Sequence, residues 1–176
     1  MKKKKWLSLA LVGAIAASSI SIVQAENPKK EQAKNVIMLV MDGSSDNVST
    51  IARWYKGEPL ALDNMLTGAV RTYSAESTIT DSAPAATALA TGHKSNSGYV
   101  GVLPSVVTTP GVAPVDKDDA FKPVANVLEG AKRQGKATGL IATSEIQHAT
   151  PAGFSSHVTS RKNYDDIAEQ QVYQNI

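Results

Sequence analysis

Residues 36–41 are uninterrupted apolar side chains that end abruptly at Asp42-Gly43. That pattern predicts a strand buried on both faces of a parallel sheet. The segment 137–143, Ala-Thr-Gly-Leu-Ile-Ala-Thr, predicts a second buried strand, and 67–73 a further one. Between them the period changes. Val48, Ile51, Ala52 and Tyr55 recur at helical spacing across 44–55, with Gly57 as the stop and Pro59 beyond it. Residues 60–66 predict a short helix. Lys122-Pro123 opens an amphipathic helix with Val124, Val127, Leu128 and Ala131 on one face and Gly135 at its end. A helix between strand segments is the βαβ arrangement, so the predicted class is α/β with a mainly parallel sheet flanked by helices.

The polar turn Thr80-Asp81-Ser82 runs directly into a helix of small residues, Ala83 to Thr91, that stops at Gly92. Ser82 is a preferred N-cap type, Pro84 falls in the first turn where its missing N–H is harmless, and glycine commonly follows a last turn. A serine there faces free backbone N–H groups and the positive end of the helix dipole, which suits a bound phosphoryl group. Asp81 and Ser82 as a simple capping pair explain the same residues. Residues 94–119 are rich in Gly, Ser, Pro and Thr and read as a loop with at most a short strand near Val102 or Val106. Residues 144–159 read as a second loop, leading into a polar helix from about Arg161. No internal repeat is present.

The amino terminus has a different character. Four lysines after Met1 precede an apolar run, Trp6 to Ala17, and a small-residue exit at Val23-Gln24-Ala25. This is the pattern of a secretory signal peptide over 1–25, and the run is short for a membrane span of about 20 apolar residues. The remainder divides into a charged lead-in, 26–34, and one domain, 35–176. Setting the signal aside moves the formal charge from +2 to −2, because the signal holds four lysines and no acids. No basic stripe remains for nucleic acid. Cysteine is absent, so an exported fold here relies on core burial, metals or association.

Ligand sites in open α/β sheets lie beyond the carboxyl ends of the strands. Asp42 stands at one such end, as a hard oxygen ligand or as a cap for the next helix. Thr150 before Pro151 is either another oxygen ligand or part of a Thr-Pro turn. His148 is a metal ligand or a hydrogen-bonding loop histidine, while His93 and His157 read as structural. Arg161 matches a tetrahedral phosphate through two parallel hydrogen bonds, or is an ordinary surface arginine.

Taken together, Val36 to Gly43, Thr80-Asp81-Ser82-Ala83, Thr87 to Gly92, and Gln147-His148-Ala149-Thr150-Pro151-Ala152 through His157 to Ser160-Arg161-Lys162 resemble the bacterial alkaline phosphatases. The likeness runs along nearly the whole chain after the signal and covers roughly the first third of a family member. It implies the amino-terminal part of a three-layer α/β/α fold, a secreted or periplasmic location, and a homodimer as the full-length protein. It also implies hydrolysis of phosphate monoesters with two zinc ions and one magnesium ion per site. By resemblance, Ser82 is the nucleophile that carries the phosphoryl intermediate, Asp42 bridges a zinc and the magnesium, Thr150 is a magnesium ligand, and Arg161 clamps the phosphate. Asp81 would orient Arg161, and His148 stands near the magnesium where some members have aspartate. Pro84 and Met41 depart from the family pattern, which favours a small non-proline residue and a glycine there. The remaining zinc ligands come from far downstream in the family, so the 176-residue chain alone is expected to be inactive. A phosphodiesterase, sulfatase or phosphomutase relative, and a non-catalytic secreted anion-binding domain, are the alternative readings.

Overall fold

The computed structural model describes residues 33–176. The signal peptide and most of the lead-in expected from the sequence lie outside those residues. Leu39–Ile176 forms one compact unit, and the described residues up to Met38 belong to another.

Among the described residues five α-helices follow in order: α1, Asp46–Lys56; α2, Ser82–Thr91; α3, Val127–Arg133; α4, Ala149–Ala152; and α5, Tyr164–Tyr173. Short 3-10 turns occupy Ala61–Met65 and Lys117–Asp119. The helix read from apolar spacing over 44–55 falls at Asp46–Lys56, the one read from its polar start and Gly92 stop falls at Ser82–Thr91, and the short helix read over 60–66 is a 3-10 turn. Gly57 and Gly92 end α1 and α2 in the left-handed conformation, each donating its N–H back four residues, the closure glycine permits without strain.

Two helix starts differ from expectation. The chain around Pro123 pairs with Val102 in an antiparallel bridge, supported by Leu103 N–H to Lys122 O and Val124 N–H to Gly101 O, both at 2.9 Å. The helix therefore begins only at Val127, where Asn126 caps it by accepting from the N–H groups of Leu128 and Glu129 while Glu129 answers the Asn126 N–H. Likewise α5 starts at Tyr164, leaving Arg161 in the turn before it. That turn is held by Arg161 N–H donating to Gly98 O at 2.7 Å.

The three predicted strands are not helical, yet they form no ladder with one another among the described residues. Val36 and Ile37 are more than four-fifths exposed, as is Leu39, and Ile141 is fully exposed. A parallel strand needs a neighbour about 4.8 Å away to satisfy its backbone, and these runs have none among the described residues. The bridges that do form are Val100 with Val158 and Val102 with Pro123, beside the short strand allowed near Val102, with their partners in the 144–159 loop and at the residue read as opening the amphipathic helix.

The packed core sits under α2. Ala83, Val100, Ala149, Ala152, Val158 and Ile167 make one cluster, and Ala86, Ala90 and Phe154 a second, against which Leu128 and Leu140 lean. The small side chains of α2 let α4 approach closely, and this is the most extensive helix pairing among the described residues. Gly153 completes the approach. A Cβ there would stand 2.6 Å from Ala86 Cβ.

The 94–109 loop owes its order to polar groups. Asn96 accepts from the N–H groups of Ser105 and Val106 and donates to Val106 O. Its amide also donates to Glu76, whose carboxylate takes Ser97 N–H at 2.6 Å and Ser74 Oγ–H at 2.8 Å. Burial pushes the Glu76 carboxyl up, but these donors together outweigh it and hold the group down at about 2. His157 closes the other side, its ring touching Gly101 O at 2.7 Å and Glu129 at 3.0 Å. No helix among the described residues is long and apolar enough to cross a membrane.

Candidate functional site

The amino end of α2 carries the candidate chemistry. Asp81, not Ser82, is the N-cap residue, with extended backbone and no side-chain capping bond, and Ser82 is the first helical residue. The Asp81 carboxylate is engaged elsewhere. One oxygen accepts Gly98 N–H at 3.3 Å and the other accepts Arg161 Nη1–H at 3.1 Å. The same Nη1 donates to Ser82 Oγ at 2.9 Å. Arg161 Nη2 lies 3.1 Å from His148 Nε2; a guanidinium only donates, so Nε2 is the acceptor in this pair. Asp81, Ser82 and His148, from two segments far apart in sequence, thus meet at the Arg161 guanidinium, whose side chain is about a quarter exposed beside a roughly one-third exposed Asp81.

A second contact joins Asp42 and Thr150, with Thr150 Oγ1–H donating to Asp42 Oδ2 at 2.7 Å. The two groups of residues are linked through α4. His148 is its N-cap residue and Thr150 lies one residue into the helix, separated by buried Ala149. Every residue singled out by sequence therefore has a partner among the others. His93 is exposed and takes no part, and His157 is the structural cross-link described above.

The implied metals can be tested against the donors present. Asp42 and Thr150 bring two hard oxygens together, as a magnesium-type cation prefers. Among the described residues no three His, Cys, Asp or Glu side chains converge. A zinc set of three or four such ligands is therefore not supplied by them. The residues fit a share of an oxygen-lined cation site.

Sequence reasoning passed over Gly98. It lies within a Gly/Ser-rich stretch that offered no signal to separate it from its neighbours, and its contribution is made entirely by backbone atoms.

Residues 33–175 match the family model described as alkaline phosphatase. The chain belongs to the alkaline phosphatase family. It is 39% identical to alkaline phosphatase 3 of Bacillus subtilis (strain 168) over 96% of its own length and 37% of that protein's. It is 41% identical to alkaline phosphatase H of Pseudomonas aeruginosa over 77% of the chain and 28% of the relative. Among solved structures, the cold-active alkaline phosphatase of a psychrophilic Shewanella species matches with a TM-score of 0.65 at 33% identity, covering 75% of this chain and 32% of that one. The enzyme of the Antarctic bacterium TAB5 matches at 0.60 and 28% identity, covering 75% of this chain and 34% of that one. A histidine-to-aspartate variant of the TAB5 enzyme, also similar, is described with magnesium bound in its M3 site. The fold is accordingly the amino-terminal part of the alkaline phosphatase α/β architecture, as expected from the sequence. This alkaline phosphatase chain spans about a third of the length of the relatives it matches.

Proposed function

We propose that the chain forms the nucleophile-bearing, phosphate-clamping part of a metal-dependent phosphomonoesterase. The observation that carries the reading is the Arg161 guanidinium, which reaches Asp81, Ser82 and His148 at 2.9–3.1 Å. Substrates are phosphate monoesters. Ser82 gives its proton to solvent, its Oγ bonds to phosphorus, and the bond from phosphorus to the alcohol oxygen breaks, that oxygen taking a proton from solvent to leave as the alcohol. Water then attacks the phosphoserine, which restores Ser82 and releases inorganic phosphate.

The chain's own residues have separate tasks. Arg161 offers a planar fork to two non-bridging oxygens of the phosphoryl group. Asp81 holds that fork in register. The backbone N–H groups and dipole at the start of α2 face the added negative charge. Asp42 and Thr150 would hold a hard cation, and His148 ties that turn to Arg161. Divalent cations, when bound, would supply positive charge that favours an ionised Ser82 and offsets charge on the leaving oxygen.

Two zinc ions and one magnesium ion per site, a homodimer, and export directed by 1–25 belong to the same proposal. So does the expectation that the 176 residues alone do not turn over substrate, because no full set of zinc ligands converges among the described residues.

The test uses this chain in place of the matching segment of the Bacillus subtilis relative. The hybrid is expected to hydrolyse a chromogenic phosphate monoester and to form a phosphoryl adduct on Ser82 detectable by mass spectrometry. Ser82→Ala and chelation should each abolish turnover. Activity that survives both unchanged overturns the reading, and faster turnover of a diester redirects it to a phosphodiesterase.

A further inference from the structure

We infer that Gly98 is a positioning residue for the phosphate clamp, acting through both of its main-chain polar groups. Its N–H donates to Asp81 Oδ1 at 3.3 Å, and its carbonyl accepts Arg161 N–H at 2.7 Å. The Asp81–Arg161 side-chain bond at 3.1 Å closes the ring. One peptide segment therefore sets the carboxylate that orients the guanidinium and also the backbone from which that guanidinium extends. This inference rests on the reading of Arg161 as the clamp.

The need for glycine here is conformational. Gly98 has φ +79°, in the left-handed region, and a Cβ built on it meets nothing within 4 Å. A substitution therefore acts through backbone preference and not through a clash. Alanine avoids this region, whereas asparagine enters it several-fold more often than other residues. Gly98→Ala should rotate the two polar groups away from Asp81 and Arg161. Gly98→Asn should largely keep them in place.

The loop is anchored independently of Gly98. Asn96 and Ser97 are tied to Glu76, and Val100 pairs with Val158. A change at Gly98 is thus confined to the peptides that touch the clamp.

In the hybrid enzyme, Gly98→Ala is expected to raise both KM for a phosphate monoester and the inhibition constant of inorganic phosphate about tenfold, a 1.4 kcal/mol effect. Metal content should be unchanged, and Gly98→Asn should recover most of the loss. Combined with Arg161→Ala, Gly98→Ala should weaken phosphate binding no further, because the two act as one unit. Additive losses, or an unaltered inhibition constant beside a lowered melting temperature, overturn the inference. If the unsubstituted hybrid shows no monoesterase activity, it is the proposed function that fails. Amide hydrogen exchange of Arg161 in the 176-residue chain then decides the inference: protection lost in Gly98→Ala and regained in Gly98→Asn upholds it, and protection unchanged in Gly98→Ala refutes it.

Discussion

Replacing Gly153 by alanine should destabilise the chain, although the local backbone is compatible with alanine. Gly153 has φ −59° and ψ −21°, ordinary right-handed values. On conformational grounds alone the substitution would stabilise by about 0.4–1 kcal/mol, by narrowing the unfolded ensemble. Packing opposes it. The added Cβ would lie 2.6 Å from Ala86 Cβ, 2.9 Å from Ala86 C and 3.0 Å from Thr87 N, where carbon atoms settle at about 3.5–4.0 Å. Two of these three atoms belong to the α2 backbone, so relief requires α2 and α4 to separate by roughly 1 Å. Overpacking of this kind costs about 1–3 kcal/mol. The net expectation is a loss of about 1–2 kcal/mol, or a fall in Tm of about 2–8 °C for a chain of this size.

Gly130, within α3, supplies the control, because a Cβ there meets nothing within 4 Å. Gly130→Ala should stabilise by up to about 1 kcal/mol. Urea titrations of both variants, read by far-ultraviolet circular dichroism, compare the same chemical change with opposite predicted signs. If Gly153→Ala proves neutral, or stabilising as Gly130→Ala is, the close-approach argument is wrong.

Two further outcomes can be measured directly. With its carboxyl held at about 2 instead of an ordinary 4.5, Glu76 contributes stability that is fully present above pH 4.5 and disappears as pH falls toward 2; the shift corresponds to at most about 3 kcal/mol, and to about 1–2 after allowance for solvent screening. Gln in its place should flatten the stability profile between pH 5 and 2, and an unchanged slope would exclude Glu76 as its source. Arg161→Lys in the hybrid enzyme keeps the charge and loses the planar fork, so kcat/KM should drop about 10–100-fold, and a drop below threefold would remove Arg161 as the clamp.

The helical part of the fold was legible because its stops are chemical. Gly57 and Gly92 mark ends that no tertiary contact needed to supply. Starts were harder. Asp81 and Ser82 are both good caps and adjacent, and the difference is made by Gly98 and Arg161, which approach the Asp81 carboxylate from distant parts of the chain. Similarly, Pro123 and Val124 continue the apolar spacing of α3 but are drawn into the bridge with the 101–103 segment, leaving Asn126 to start the helix. The apolar runs at 36–41 and 137–143 are plain in the sequence, yet apolarity does not specify a partner strand. Order in 94–109 was invisible because it depends on Asn96 and Glu76 finding each other across a loop whose composition equally describes a slack one.

For the candidate site, residue types and family order were enough to select Asp42, Asp81, Ser82, His148, Thr150 and Arg161. They did not show how these residues divide. Two clusters form, and Ala149, fully buried between His148 and Thr150, lies at the junction. A cap residue and a first-turn residue of one short helix cannot be tilted separately. A substitution that reshapes the Asp42–Thr150 pair by shifting α4 would displace His148 from Arg161 in the same movement. Attempts to evolve a new cation preference at this turn should therefore recover variants whose affinity for inorganic phosphate has changed as well, and selection for either trait alone would find the two inherited together.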